Sequence, residues 1–153
     1  MDDSFVAIPK ISDLKEIVDL EIEGEEKYRE NSEKIILDLI KTKRIIVCKF
    51  KNRIIGYLSW VNNFMGINDF YYLEQIRINS KYRKKGFASF LIKYFLDYAK
   101  SKKIKKVFGD IHKKNIASLK LCLKLGASKS GKITGIDPNG EEKRIIRFDL
   151  EQF

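Results

Sequence analysis

A chain of 153 residues, 44% hydrophobic and 12% aromatic, is long and apolar enough for one core and too apolar to be disordered. Its net charge of +10 is local rather than spread: residues 81–106 hold ten Lys/Arg and one acid, whereas residues 1–34 hold five Lys/Arg and eleven acids. No apolar run approaches the roughly 20 residues of a membrane span, and Met1-Asp2-Asp3 lacks the basic and apolar parts of a signal peptide.

Residues 5–8 predict a first strand, ended by Pro9. Ser12 is expected to cap a helix whose apolar Leu14, Ile17, Val18 and Leu20 recur at helical spacing. Residues 21–26 are an acidic helix end and break, and a second helix is predicted over 32–40. The period then changes. Strands are expected over 45–50 and 54–61, joined by Lys51-Asn52-Arg53 as an antiparallel hairpin. Residues 62–69 predict a loop and 70–78 a long central strand. A helix over 87–102 places Phe87, Leu91, Phe95 and Tyr98 on one face. A strand over 106–111 follows, then a helix over 115–125 closed by Gly126. Strands over 133–136 and 144–150 flank the turn Asp137-Pro138-Asn139-Gly140. The order βααβββαβαββ predicts a single α/β domain over residues 1–153. Its sheet is mixed, mostly antiparallel, with helices on both faces. The strand–helix–strand unit around 87–102 implies a parallel pair with a right-handed crossover.

The junction at 83–88, Arg-Lys-Lys-Gly-Phe-Ala, carries the chemistry. A basic turn with glycine, between a strand and a helix start, exposes successive backbone N–H groups. The helix end adds its partial positive charge. Gly86 allows the backbone to approach a ligand closely. A phosphorylated cofactor is the expected ligand.

The element order and this junction resemble the GNAT superfamily of acyl-CoA-dependent N-acetyltransferases. Arg83, Gly86 and Ala88 match the family's cofactor signature, placed after Tyr71-Tyr72-Leu73-Glu74-Gln75-Ile76-Arg77-Ile78. Asn115-Ile116-Ala117-Ser118, with Lys124-Leu125-Gly126-Ala127 beyond it, resembles a second family segment. The Tyr-Leu-Glu strand and the Gly-Ala helix end are similar to those of small polyamine-type acetyltransferases. The resemblance implies that the backbone of Arg83, Lys84, Lys85, Gly86, Phe87, Ala88 and Ser89 holds the pyrophosphate of acetyl-CoA. It implies that Ile76, Arg77 and Ile78 pair with the pantetheine arm like an added strand, joined by Asn115 and Ser118. An N–H near Ile76 would face the thioester carbonyl. Glu74 stands where relatives often carry a base, which the reaction needs because an ammonium cannot attack. The family's usual tyrosine, seven residues after Asn115, is Cys122 here. A thiol, with a reference pKa near 8.5, is a shorter donor; Tyr71, Tyr72, Tyr98 or solvent are the alternatives.

The family's acceptor enters near 21–31 and 62–69, so Glu21, Glu25, Glu26 and Tyr72 are candidate acceptor contacts, and the acidic segment points to a cationic amine. His112, the only histidine, has no partner for a triad or metal site, and no metal is expected. Two cysteines, Cys48 and Cys122, make no disulfide scaffold, so the chain reads as cytoplasmic, with no membrane or nucleic-acid partner. Family members often form homodimers. The rival reading is a non-catalytic acyl-CoA sensor of the same fold.

Overall fold

The computed structural model describes residues 3–136 and 139–150. Seven strands form one sheet in the order β1-β2-β3-β4-β5-β7-β6. The element order is βααβββαβαββ with short 3-10 turns between, as the sequence predicts. The chain divides into two compact units, Met1–Trp60 with Gln75–Phe95 and Val61–Glu74 with Leu96–Phe153. Strand β4 (Phe70–Ile78) and helix α3 (Phe87–Ser101) contribute residues to both.

In the first unit, β1 (Ser4–Ala7), β2 (Ile45–Phe50) and β3 (Arg53–Val61) pair antiparallel. Lys51 and Asn52 both have positive φ, the conformation a two-residue hairpin turn demands. Helices α1 (Leu14–Ile22) and α2 (Arg29–Lys41) bury Ile17, Val18, Leu20, Ile36, Leu39 and Ile40 in one cluster with Ile45, Val47, Ile54 and Tyr57. Each wholly buried aliphatic side chain there stabilises the fold by roughly 1.5–3 kcal/mol. Gly56 lets β3 lie close to the end of β4, because a Cβ on it would stand 2.6 Å from Ile78 Cδ1 and 3.0 Å from the Arg77 carbonyl.

Two local expectations differ here. Ser12 does not cap α1: residues Ile11–Asp13 form a 3-10 turn, and the Asp13 carboxylate accepts the Lys10 N–H at 2.8 Å. Helix α2 starts three residues earlier than expected. The 3-10 turn Glu26–Tyr28 feeds into it, and Arg29 there binds both Glu26 and Asp19 at 2.7 Å.

In the second unit, the first part of β4 pairs parallel with β5 (Lys106–His112), and β5 and β6 (Ser128–Ile136) pair antiparallel with β7 (Glu142–Asp149). Val107, Ile146 and Phe148 are buried between them. The predicted loop before β4 contains a 3-10 turn, Phe64–Gly66, whose Phe64 ring stacks on Tyr72 at 4.8 Å and meets Phe108 at 5.3 Å. Helix α4 (Ile116–Lys124) stops before Gly126, as expected. Of the predicted last turn, Asp137 and Pro138 lie outside the described residues. Among the described residues, no helix is long and apolar enough to cross a membrane.

Candidate active site

The basic turn lies in the first unit. Asn79 starts it: its side chain accepts the Lys81 N–H at 3.0 Å and its carbonyl the Tyr82 N–H at 2.8 Å. Lys84 then takes φ +60° and Gly86 φ +89°, and α3 begins at Phe87. The first helical bond runs from the Phe90 N–H to the Gly86 carbonyl at 3.0 Å. Among the described residues, no acceptor takes the backbone N–H of any residue from 83 to 89. Seven consecutive donors therefore stand bare at a helix N-terminus, flanked by exposed Lys84 and Lys85. Main-chain donors in this arrangement are chemically suited to an anion.

The Arg83 side chain is engaged elsewhere. Its Nε donates to the Ile78 carbonyl at 3.0 Å, and its Nη2 to Glu23 at 2.7 Å. Arg77 Nε donates to Glu21 at 3.1 Å. In the second unit the parallel register of β4 on β5 runs from Phe70↔Lys106 to Leu73↔Gly109.

A cavity of about 360 Å³ opens beside this region, lined by Glu21, Glu23, Glu25, Tyr28 and Arg77 among others. Its carboxylates are partly compensated. Glu21 accepts the hydroxyl of buried Tyr57 as well as Arg77. Of the expected acceptor contacts, Glu21 and Glu25 line this cavity. Glu26 does not; Arg29 binds its carboxyl and holds it below the usual carboxylate range.

The second unit holds the side-chain chemistry. Burial, first, pushes the Tyr72 phenol up; its hydrogen bond to Asp110 and the charges of Asp110 and Glu74 add to this. Glu74 itself is exposed. Asp110, which also faces Lys143 Nζ at 3.6 Å, was not singled out in the sequence. The only available signal was an acid in the middle of a predicted strand. It stands one residue past Gly109, the last β5 residue in register with β4.

Cys122 is buried on α4, and burial pushes its thiol up to about 11. A neutral buried thiol suits packing and offers no thiolate for a covalent route. The Asn115 side-chain oxygen, expected on the pantetheine side, accepts the Ser118 N–H at 3.1 Å and caps α4. His112 is tied locally: its Nδ1 accepts the Lys114 N–H at 3.2 Å and its Nε2 stands 3.5 Å from Glu141. Tyr71 is buried, which raises its phenol, with Tyr98 adding to the effect.

Comparison with known proteins agrees with this geometry. The sequence profile of the Acetyltransferase (GNAT) family matches residues 11–127. No curated protein matches the sequence. The fold is similar to that of a GNAT-family acetyltransferase from Bacillus cereus, at 26% identity and TM-score 0.79, covering 95% of this chain and 96% of that one. It is also similar to a chimera of the spermidine N-acetyltransferase from Vibrio cholerae, at 18% identity and TM-score 0.81, covering 98% and 97%. A Salmonella typhimurium protein described as an acetyltransferase, solved with its cofactor acetyl-CoA, has 15% identity and TM-score 0.79, covering 99% and 96%. At such identities the last two speak for the fold alone. With that profile spanning most of its length, this chain belongs to the Acetyltransferase (GNAT) family.

Proposed function

We propose that the protein transfers the acetyl group of acetyl-CoA to a cationic primary amine by direct attack within a ternary complex. The carrying observation is the run of unpaired N–H groups from 83 to 89 on the N-terminus of α3. Such an array holds a diphosphate through main-chain donors and helix charge. Lys84 and Lys85 add positive charge at its edge. Ile76, Arg77 and Ile78 are extended in β4, the conformation in which a strand pairs with an added pantetheine arm.

The thioester supplies an activated acyl carbon. The protein's tasks are to position it and to move protons. Glu74 takes a proton from the incoming ammonium, directly or through water. A backbone N–H near Ile76 faces the carbonyl oxygen and stabilises the charge that grows there. When the C–S bond breaks, the departing sulfur needs a proton. Tyr72, bound to Asp110, suits this role better than Cys122, because the thiol is buried in the packing of α4. The cavity lined by Glu21, Glu23 and Glu25 supports a positively charged acceptor.

Calorimetric titration with coenzyme A, paired with thiol release from acetyl-CoA over a panel of cationic and neutral amines, tests both halves. Heat on titration and faster release with cations are expected. A flat titration removes the cofactor assignment. Equal rates for neutral amines remove the cationic acceptor. The buried Cys122 at the family's tyrosine position favours one second reading, a sensor that binds acyl-CoA without turnover; binding without thiol release over the whole panel would select it.

A further inference from the structure

Glu23 closes α1 in the left-handed conformation, at φ +46°, which a non-glycine residue adopts only when its surroundings hold it there. Its carboxylate is shared. Oε1 accepts from Arg83 Nη2 at 2.7 Å and stands 3.5 Å from Arg77 Nη1. Arg77 Nε in turn donates to Glu21, which takes the hydroxyl of Tyr57, a residue only 2% exposed. Two carboxylates and two guanidiniums thus form a charge-balanced chain from the buried face of β3 to the turn. Arg83 is the point of attachment, because its Nε also fixes the Ile78 carbonyl at the end of β4. The turn it anchors contains two positive-φ residues, Lys84 and Gly86, a path that persists only when neighbours over-determine it.

We propose that Glu23 is a positioning residue for the cofactor: through Arg83 it holds the 83–89 turn in the shape that aims its amides at the diphosphate. The inference rests on the reading of that turn as the cofactor cradle. It makes a prediction opposite in sign to simple charge counting. Removing a carboxylate near an anion site, and freeing an arginine beside it, should tighten anion binding by Coulomb's law alone. A positioning role predicts weaker binding, because seven donors must converge and a loosened turn scatters them.

The substitution Glu23→Asn separates the effects. Asparagine accepts the left-handed conformation more readily than glutamate, so the backbone is relieved while the charge is lost. Calorimetry with coenzyme A should give a dissociation constant about three- to tenfold higher than wild type, in the range for a networked, partly exposed ion pair. The melting temperature should hold or rise. Glu23→Asp keeps the carboxylate at the length of asparagine and should recover part of the lost affinity. Affinity for E23N equal to or tighter than wild type overturns the proposal. So does a marked fall in its melting temperature, which means a structural role, or an E23D no better than E23N. A wild-type protein that gives no heat with coenzyme A overturns the cradle reading itself, and this proposal with it.

Discussion

The turn at 83–89 and the stretch of β4 and β5 around Tyr72, Glu74 and Asp110 offer different chemistry from different parts of the chain. The turn works through main-chain donors, so its specificity lies in the path of the backbone: positive φ at Lys84 and Gly86, then a helix start at Phe87. The other region offers side chains, a half-buried phenol hydrogen-bonded to one carboxylate with a second, exposed one nearby. In the proposed mechanism, binding and proton transfer are therefore separable by mutation. A substitution in one region should move cofactor affinity, and a substitution in the other should move turnover.

The largest expected effect tests the side-chain region. Glu74→Gln should slow turnover about 10²-fold or more, the usual contribution of a general base, while coenzyme A affinity measured by calorimetry stays put. Normal turnover across pH would take Glu74 out of the mechanism and leave Asp110 as the carboxylate to test. Next, Gly86→Val should weaken coenzyme A binding about tenfold or more, because a β-branched residue at φ +89° forces the turn to change path. Tight binding in that variant would mean that the main-chain cradle is not the grip. Tyr72→Phe should lower the rate several-fold with unchanged cofactor affinity. A loss of affinity instead would mix the two regions and blur the distinction.

The smallest effect concerns stability. Burial pushes both Cys48 and Cys122 up to about 11 from the ordinary thiol value of 9.0. The neutral thiols stabilise the fold fully below the unfolded value, and that contribution is lost as pH rises from about 9 through 11. The slope for each buried thiol approaches about 1.4 kcal/mol per pH unit at most. Melting curves at pH 8 and pH 10 should therefore differ less in Cys122→Ala than in wild type, even though the variant is less stable overall.

Much of the fold was legible because punctuation bounds it. Strands β2 and β4 have the predicted ends, since Lys51-Asn52 closes one and Asn79 with the basic turn closes the other. Strand β6 begins five residues earlier than expected. Its start, Ser128-Lys129-Ser130-Gly131-Lys132, has no apolar alternation, and pairing such as Ser128↔Arg147 makes it a strand. The basic turn was legible for a similar local reason: glycine, basic residues and a helix start fall within six positions. Asp110 was not, because what marks it is its interaction with Tyr72, far away in sequence. The Glu23–Arg83 contact joins residues 60 apart, and no local pattern marks it.

Seven peptide amides have one property that a cluster of histidines lacks. They carry no proton that leaves near neutrality, so a rise in pH through that range cannot switch them off. The hold of the 83–89 segment on its ligand should stay level through swings of cellular pH that leave the ligand's own phosphates charged. In the proposed mechanism, pH sensitivity of the reaction then has its source in the groups that move protons rather than in this turn.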